Sequence, residues 1–197
     1  YSQGIFPWFN EGSPILWWCP DPRMILFPDQ LKVSASLRQK VRNKKYRLRI
    51  DGNFSAVIHN CAVIRRKDQD ATWITAEMEN AYQTLHQEGY AHSFETYCEN
   101  ELVGGLYGVS LGKTFFGESM FHLMADASKI SLYHLVRLLK LLDFDMIDVQ
   151  QSTSHMKSLG ASEIPRSKFL EILSSSLRSP TMKGSWSRFT DLVQYER

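Results

Sequence analysis

Cysteine is scarce in this 197-residue chain and poorly placed for structural use: Cys19, Cys61 and Cys98 lie far apart, odd in number and without a C-x-x-C spacing. That excludes a disulfide framework and a thiolate zinc site, and it leads us to expect a reducing, cytoplasmic compartment. No apolar stretch approaches the roughly 20 residues that span a bilayer. The phosphate loop GxxxxGK[ST], HExxH, GxSxG and the EF-hand loop are all missing, which removes the common signatures of nucleotide, zinc-peptidase, serine-hydrolase and calcium chemistry. The six histidines, at 59, 86, 92, 122, 134 and 155, show no ligand spacing, so no metal is expected. Repeats and low-complexity tracts are absent as well. The chain shows no signal peptide, but it opens at Tyr1 without a methionine, and a native leading segment is expected before it.

What is present is uneven. Net charge is only +2, yet seven basic residues fall between positions 38 and 49 with no acid among them: Arg38, Lys40, Arg42, Lys44, Lys45, Arg47 and Arg49. Arg65, Arg66 and Lys67 form a second, smaller cluster. Such a patch attracts a polyanion such as RNA by releasing its counterions, although a solvated helix face has the same composition. Eight Tyr, eleven Phe and five Trp supply either a dense core or flat stacking surfaces.

Prolines at 7, 14, 20, 22 and 28 forbid a long helix at the start, so residues 1 to 30 read as extended segments and turns with a short strand over 24–27. A basic helix over 34–43, a strand over 46–50 and a helix over 54–62 follow. Thr75 is placed to cap a helix that carries Glu77 and Glu79 in its first turn and stops at Gly89. Strands are expected over 91–98, 102–109 and 114–116. An amphipathic helix over 128–142, a strand over 146–150 and a helix started by Pro165 complete the reading. The order is that of an α+β or mixed α/β fold with a largely antiparallel sheet.

Three sets of residues carry potential chemistry. Asp148 and Gln150 are two apart in a strand, so period-2 alternation puts them on one face, where a carboxylate and an amide can position an amine or polarise a carbonyl. Glu118 sits among Phe115, Phe116, Met120 and Phe121, and an acid so embedded either meets a cation or has its pKa raised. Trp8, Trp17, Trp18 and Trp73 offer faces for a base to stack on. Each set also has an ordinary explanation: solvated strand-end residues, a salt bridge, and core packing.

Taken together the segments resemble the bacterial leucyl/phenylalanyl-tRNA–protein transferase family over most of the chain. The carriers are GIFPWF at 4–9, PILWWCPDPR at 14–23, TWIT at 72–75, AYQTLHQEGYAHSFE at 81–95 and ELVGGLYGVSLGKTFFGESMF at 101–121. ASK at 127–129, MIDVQ at 146–150 and SLGASEIPR at 158–166 continue the series. The resemblance implies an acetyltransferase-like (GNAT) catalytic domain over 66–197, preceded by a small N-terminal α/β domain over 1–65. It implies transfer of Leu, Phe or Met from aminoacyl-tRNA to proteins beginning with Arg or Lys, marking them for degradation, by a monomer without cofactor or membrane association. On that resemblance Trp8 and Trp73 hold the terminal adenosine, with Tyr1 beside them. Leu106, Phe115, Met120 and Ile147 wall the side-chain pocket, Glu118 contacts the amino group of the donor, and Asp148 and Gln150 bind and activate the incoming amine. Leu106 and Leu135 stand where the family pattern has Met and an aromatic, and the pocket wall stays apolar. The basic residues Arg38, Lys40, Arg42, Lys44 and Lys45 are expected to grip the acceptor stem.

Three rivals remain open at this level. One is a sister transferase on the same fold that acts on N-terminal Asp or Glu or on peptidoglycan precursors. The second is a binding module for tRNA or for N-terminal degradation signals. A small-molecule acetyltransferase is disfavoured, because Gly104, Gly105 and Gly108 do not form the R/Q-x-x-G-x-G/A segment that cradles a pyrophosphate.

Overall fold

The computed structural model describes residues 1–9, 12–64 and 73–194; the basic cluster Arg65–Arg66–Lys67 and Thr72 of the TWIT motif lie outside the described residues. The opening segment forms a two-stranded antiparallel ribbon, β1 (Phe6–Pro7) with β2 (Trp17–Trp18). The chain continues as β3 (Arg23–Leu26), a short 3-10 turn at Pro28–Gln30, α1 (Ala35–Arg42), β4 (Tyr46–Ile50), α2 (Phe54–Val63) and α3 (Ala76–Gln87). Three long strands follow: β5 (Ala91–Cys98), β6 (Glu101–Leu111) and β7 (Thr114–His122). After them come α4 (Ala127–Leu141), β8 (Met146–Gln150), α5 (Ser154–Ser158), β9 (Ser162–Ile164), α6 (Arg166–Ser176) and, beyond a turn at Ser187–Phe189, α7 (Thr190–Gln194).

Two of the predicted helix starts are set by side chains that satisfy orphan amides: Ser34 accepts from the Leu37 N–H at 3.1 Å and Thr75 from Met78 at 3.3 Å. The strand over 114–116 runs longer than expected, to His122, because its polar residues pair with β6 rather than ending the ladder. The short β9 and α5 were not legible, since neither is long enough to show a period.

Seven strands make one sheet in the order β4-β5-β6-β7-β8-β3-β9. Every neighbouring pair is antiparallel except β7–β8, which is parallel and joined by the crossover helix α4. Strand alternation divides the core into two layers. Leu106, Phe115 and Ile147 face α4 and pack with Leu132, Leu135, Leu139 and the buried Trp186. Their neighbours Tyr107, Phe116 and Met146 face the other way, onto Val57, Met78, Tyr82 and Phe169 of α2, α3 and α6. The fold is therefore mixed α+β with a mostly antiparallel central sheet covered on both faces.

One irregularity shapes the site. The β6–β7 register shifts between Tyr107 and Gly108. A Cβ at Gly108 would collide with the Phe116 carbonyl oxygen, so only glycine admits the close approach there. Beyond this bulge the strands line the cleft described next.

Candidate active site

The parallel pair β7–β8 ends at a cleft of about 1050 Å³ under α4. Leu106 of β6, Phe115 and Met120 of β7, Leu132 and Leu135 of α4, and Ile147 and Val149 of β8 make its walls apolar. Glu118 and Gln150 are also on the lining. Six of the residues singled out from the sequence thus meet in one place: Leu106, Phe115, Glu118, Met120, Ile147 and Gln150.

Glu118 is only partly exposed, and both its oxygens are engaged. The Tyr82 hydroxyl donates to Oε2 at 2.7 Å, and the Gln150 side-chain amide donates to Oε1 at 3.0 Å. Tyr1 Oη lies 2.6 Å from Tyr82 Oη, and since the Tyr82 proton goes to Glu118, Tyr1 is the donor in that bond. Loss of hydration pushes the Glu118 carboxyl up to about 7, against the Tyr82 and Tyr1 hydrogen bonds that favour its charge. Burial likewise raises both phenols well above their ordinary values, so they serve as donors throughout the neutral range.

Asp148 is placed differently from the sequence expectation. It is fully buried and does not line the cleft. Its carboxylate takes two hydrogen bonds from Arg23, Nε to Oδ1 at 2.8 Å and Nη2 to Oδ2 at 2.6 Å. The Gln150 backbone N–H also donates to Oδ1, at 2.9 Å. Burial raises the Asp148 carboxyl, and the Arg23 guanidinium opposes that rise. Strand alternation fails at Gln150 because that residue has φ 66°, in the left-handed region, and the pairing with β3 shifts between Met24 and Ile25. The two residues are joined, but through backbone rather than by sharing a face.

Tyr1, Trp8 and Trp73 stand off the cleft wall. Tyr1 stacks obliquely on Phe116 with ring centroids 5.0 Å apart, and its hydroxyl reaches the site through Tyr82. Trp8 meets Trp18 edge-on at 6.2 Å, and the Trp18 indole N–H donates to the Trp8 carbonyl at 2.7 Å. Trp73 packs beside the core on the α2–α3 side.

The basic helix α1 reaches the rim of the cleft. Lys40 Nζ is 2.6 Å from Asp126 Oδ2 and Lys129 Nζ is 2.8 Å from Oδ1, while Asp126 and Lys129 both line the cleft. These two lysines hold the Asp126 carboxyl down at about 2. Arg38, Arg42, Lys44 and Lys45 are exposed. Among the described residues no group of three or more His, Cys, Asp or Glu is placed to hold a metal. No helix among them is long and apolar enough to cross a membrane.

Sequence reasoning missed Arg23 and Tyr82. Arg23 opens an otherwise apolar strand, Arg23-Met24-Ile25-Leu26, and a charge in such a run was the available signal. Tyr82 carried none, being one of several apolar residues on its helix face.

The family model described as leucyl/phenylalanyl-tRNA protein transferase matches residues 25–174, and that of its N-terminal domain matches residues 1–21. The chain belongs to the leucyl/phenylalanyl-tRNA–protein transferase family. It is 54% identical over 187 residues to the leucyl/phenylalanyl-tRNA–protein transferase of Syntrophus aciditrophicus (strain SB), covering 95% of this chain and 78% of that one. With the transferase of the same name from Nitrosospira multiformis it shares 58% identity over 173 residues, 88% of this chain and 74% of that one. Among solved structures, L-PGS from Bacillus licheniformis is similar at TM-score 0.45 and 13% identity, over 76% of this transferase-family chain and 48% of that one.

Proposed function

We propose that the chain transfers leucine, phenylalanine or methionine from aminoacyl-tRNA to the N-terminal Arg or Lys of acceptor proteins, creating a degradation signal. The observation that carries this reading is the cleft itself: apolar walls, the Glu118 carboxylate among them and a basic helix at the rim. An apolar wall of Leu106, Phe115, Leu135 and Ile147 accepts a hydrocarbon or phenyl side chain and separates the two weakly, since one methylene is worth only about 1–3 kcal/mol. Glu118 offers the charge that a donor α-ammonium needs at the edge of such a pocket. Helix α1 supplies cations for acceptor-stem phosphates without reading sequence.

The ester of a charged tRNA is already activated. The neutral α-amine of the acceptor attacks the ester carbonyl, a C–N bond forms, the bond to the ribose oxygen breaks, the nitrogen loses one proton and the ribose oxygen gains one. An α-amine with a reference pKa near 7.7–8.0 is partly neutral at pH 7, so alignment supplies most of the acceleration. Gln150 is the polar group on the cleft wall that meets the incoming amine. Trp8 and Trp73, with Tyr1 near them, hold the terminal adenosine in this reading.

The division of labour is part of the same proposal. Residues 1–65 hold Trp8 and α1 and grip the donor. Residues 66–197 carry the transfer chemistry in an acetyltransferase-like domain, supported by the β5–β6–β7 meander and the parallel β8 reached through α4. Apart from Ile64, every described residue on the cleft wall comes from this second part. The protein acts as a cytoplasmic monomer.

The test is transfer of radiolabelled Phe from Phe-tRNA to peptides beginning with Arg, Lys, Asp or Glu. Label on the Arg and Lys peptides is the expected result. Label only on the Asp and Glu peptides would assign the sister reaction, and tRNA binding without transfer would reduce the protein to a binding module.

A further inference from the structure

Arg23 is far from the cleft lining in role but not in connection. Its guanidinium is fully buried between two aromatic rings, with Cζ 4.9 Å from the Phe6 centroid and 4.4 Å from the Phe169 centroid. One edge is committed to Asp148 at two points, and Nη1 has no hydrogen-bond partner among the described residues. Burying an ion pair with an unmet donor is seldom a gain in stability over packed apolar side chains. A guanidinium does not lose its proton in proteins, so a neutral Asp148 would leave a lone charge in the core.

The pair is linked to the site by one bond. Asp148 Oδ1 receives the Arg23 Nε–H and also the Gln150 backbone N–H, two residues on. That second bond closes a side-chain turn of the kind aspartate favours, and it holds Gln150 at φ 66°, where a residue with a Cβ is strained by about 1–3 kcal/mol. The turn takes the Gln150 amide out of strand alternation and onto Glu118 Oε1 at 3.0 Å. Asp148 itself is out of reach of any substrate amine in the cleft.

We propose that Arg23 is a positioning residue of the transfer reaction: it fixes Asp148, and through the Asp148–Gln150 backbone bond it aims the Gln150 amide into the cleft. Asp148 is then an anchor held by Arg23 and not the proton acceptor. This rests on the transferase reading given above.

The experiment is a double-mutant cycle in Phe transfer to an Arg-initiated peptide, using Arg23→Lys, Gln150→Ala and the double variant, with kcat and KM for Phe-tRNA measured separately. Arg23→Lys should lower kcat by about tenfold with little change in KM for the donor, and it should add no further loss to Gln150→Ala. Losses that multiply in the double variant, or an unchanged kcat in Arg23→Lys, overturn the proposal. Asp148→Asn, which keeps the side-chain volume, gives a second cycle if Arg23→Lys does not fold. Its kcat/KM should fall while the pH of the acidic limb stays where it is in wild type. Disappearance of that limb would make Asp148 the titrating base and overturn the proposal alone. Wild type that transfers nothing overturns the function and this assignment together.

Discussion

Glu118 carries a pH prediction whose sign follows from its burial. Its carboxyl is pushed up to about 7 in the folded protein, above an ordinary glutamate. Between the unfolded value and about 7 the folded state keeps a proton that the unfolded state has released, so this group makes stability fall as pH rises through that window. Glu118→Gln should remove that loss and raise the melting temperature at pH 8 relative to wild type, with little difference at pH 4. The gain is bounded by about 3 kcal/mol and is reduced by solvent reaching the partly exposed group. In the proposed role of Glu118, function moves oppositely. Affinity for Phe-tRNA should improve from pH 6 to pH 7.5 as Glu118 ionises, and Glu118→Gln should flatten that rise, as titration binding at the two pH values will show. Removing Tyr82, by Tyr82→Phe, strips a donor from Glu118 Oε2 and should shift the same transition upward in pH.

At the scale of the element, α1 and the turn after it, which holds Lys44, distinguish cations that a sequence cannot. Lys40 is bound to Asp126, whereas Arg38 and Lys44 are exposed. In the proposed role Arg38→Ala and Lys44→Ala should each lower the slope of log affinity against log salt by close to one unit. Lys40→Ala should change it less, because its charge is already answered by a carboxylate. Filter binding of Phe-tRNA at several salt concentrations measures this, and equal slopes for all three variants would remove the helix from the tRNA interface. The helix itself was legible: a Ser N-cap followed by Leu37 and Val41 on one face is a local pattern. Its contact with the cleft rim was not, since Lys40 and Asp126 are 86 residues apart.

At the scale of the whole molecule, the C-terminal turn supports the pocket from behind. Trp186 is fully buried, stacks on His92 at 3.9 Å between ring centroids and lies 6.2 Å from Phe115. Its backbone N–H donates to Asp51 at 2.7 Å, and the Val193 carbonyl accepts from His134 at 2.7 Å and from Arg137 at 2.9 Å. Trp186→Ala should cost about 3–5 kcal/mol in denaturant unfolding. Because Phe115 then loses its backing, the ratio of kcat/KM for Leu and Phe donors should change more than either donor's tRNA affinity. Leu106→Met, a volume-conserving change on the same face of the sheet, should leave stability within about 1.5 kcal/mol of wild type.

The family and the bounds of most of the longer elements are legible in the sequence alone, and so are four apolar residues on the cleft wall, Leu106, Phe115, Met120 and Ile147. The chain's caps, its strand alternation over 46–50 and its long motifs are local properties, which short-range sterics and hydrogen bonds decide. Tertiary structure alone decided who touches whom. Arg23 and Asp148 are 125 residues apart, and Tyr82 and Glu118 are 36 apart. Period-2 reasoning put Asp148 beside Gln150 on one face, and it failed because a left-handed Gln150, held by the Asp148 carboxylate, ends the alternation. A side chain's facing depends on the backbone bond that anchors it, and that bond exists only once β3 has paired with β8.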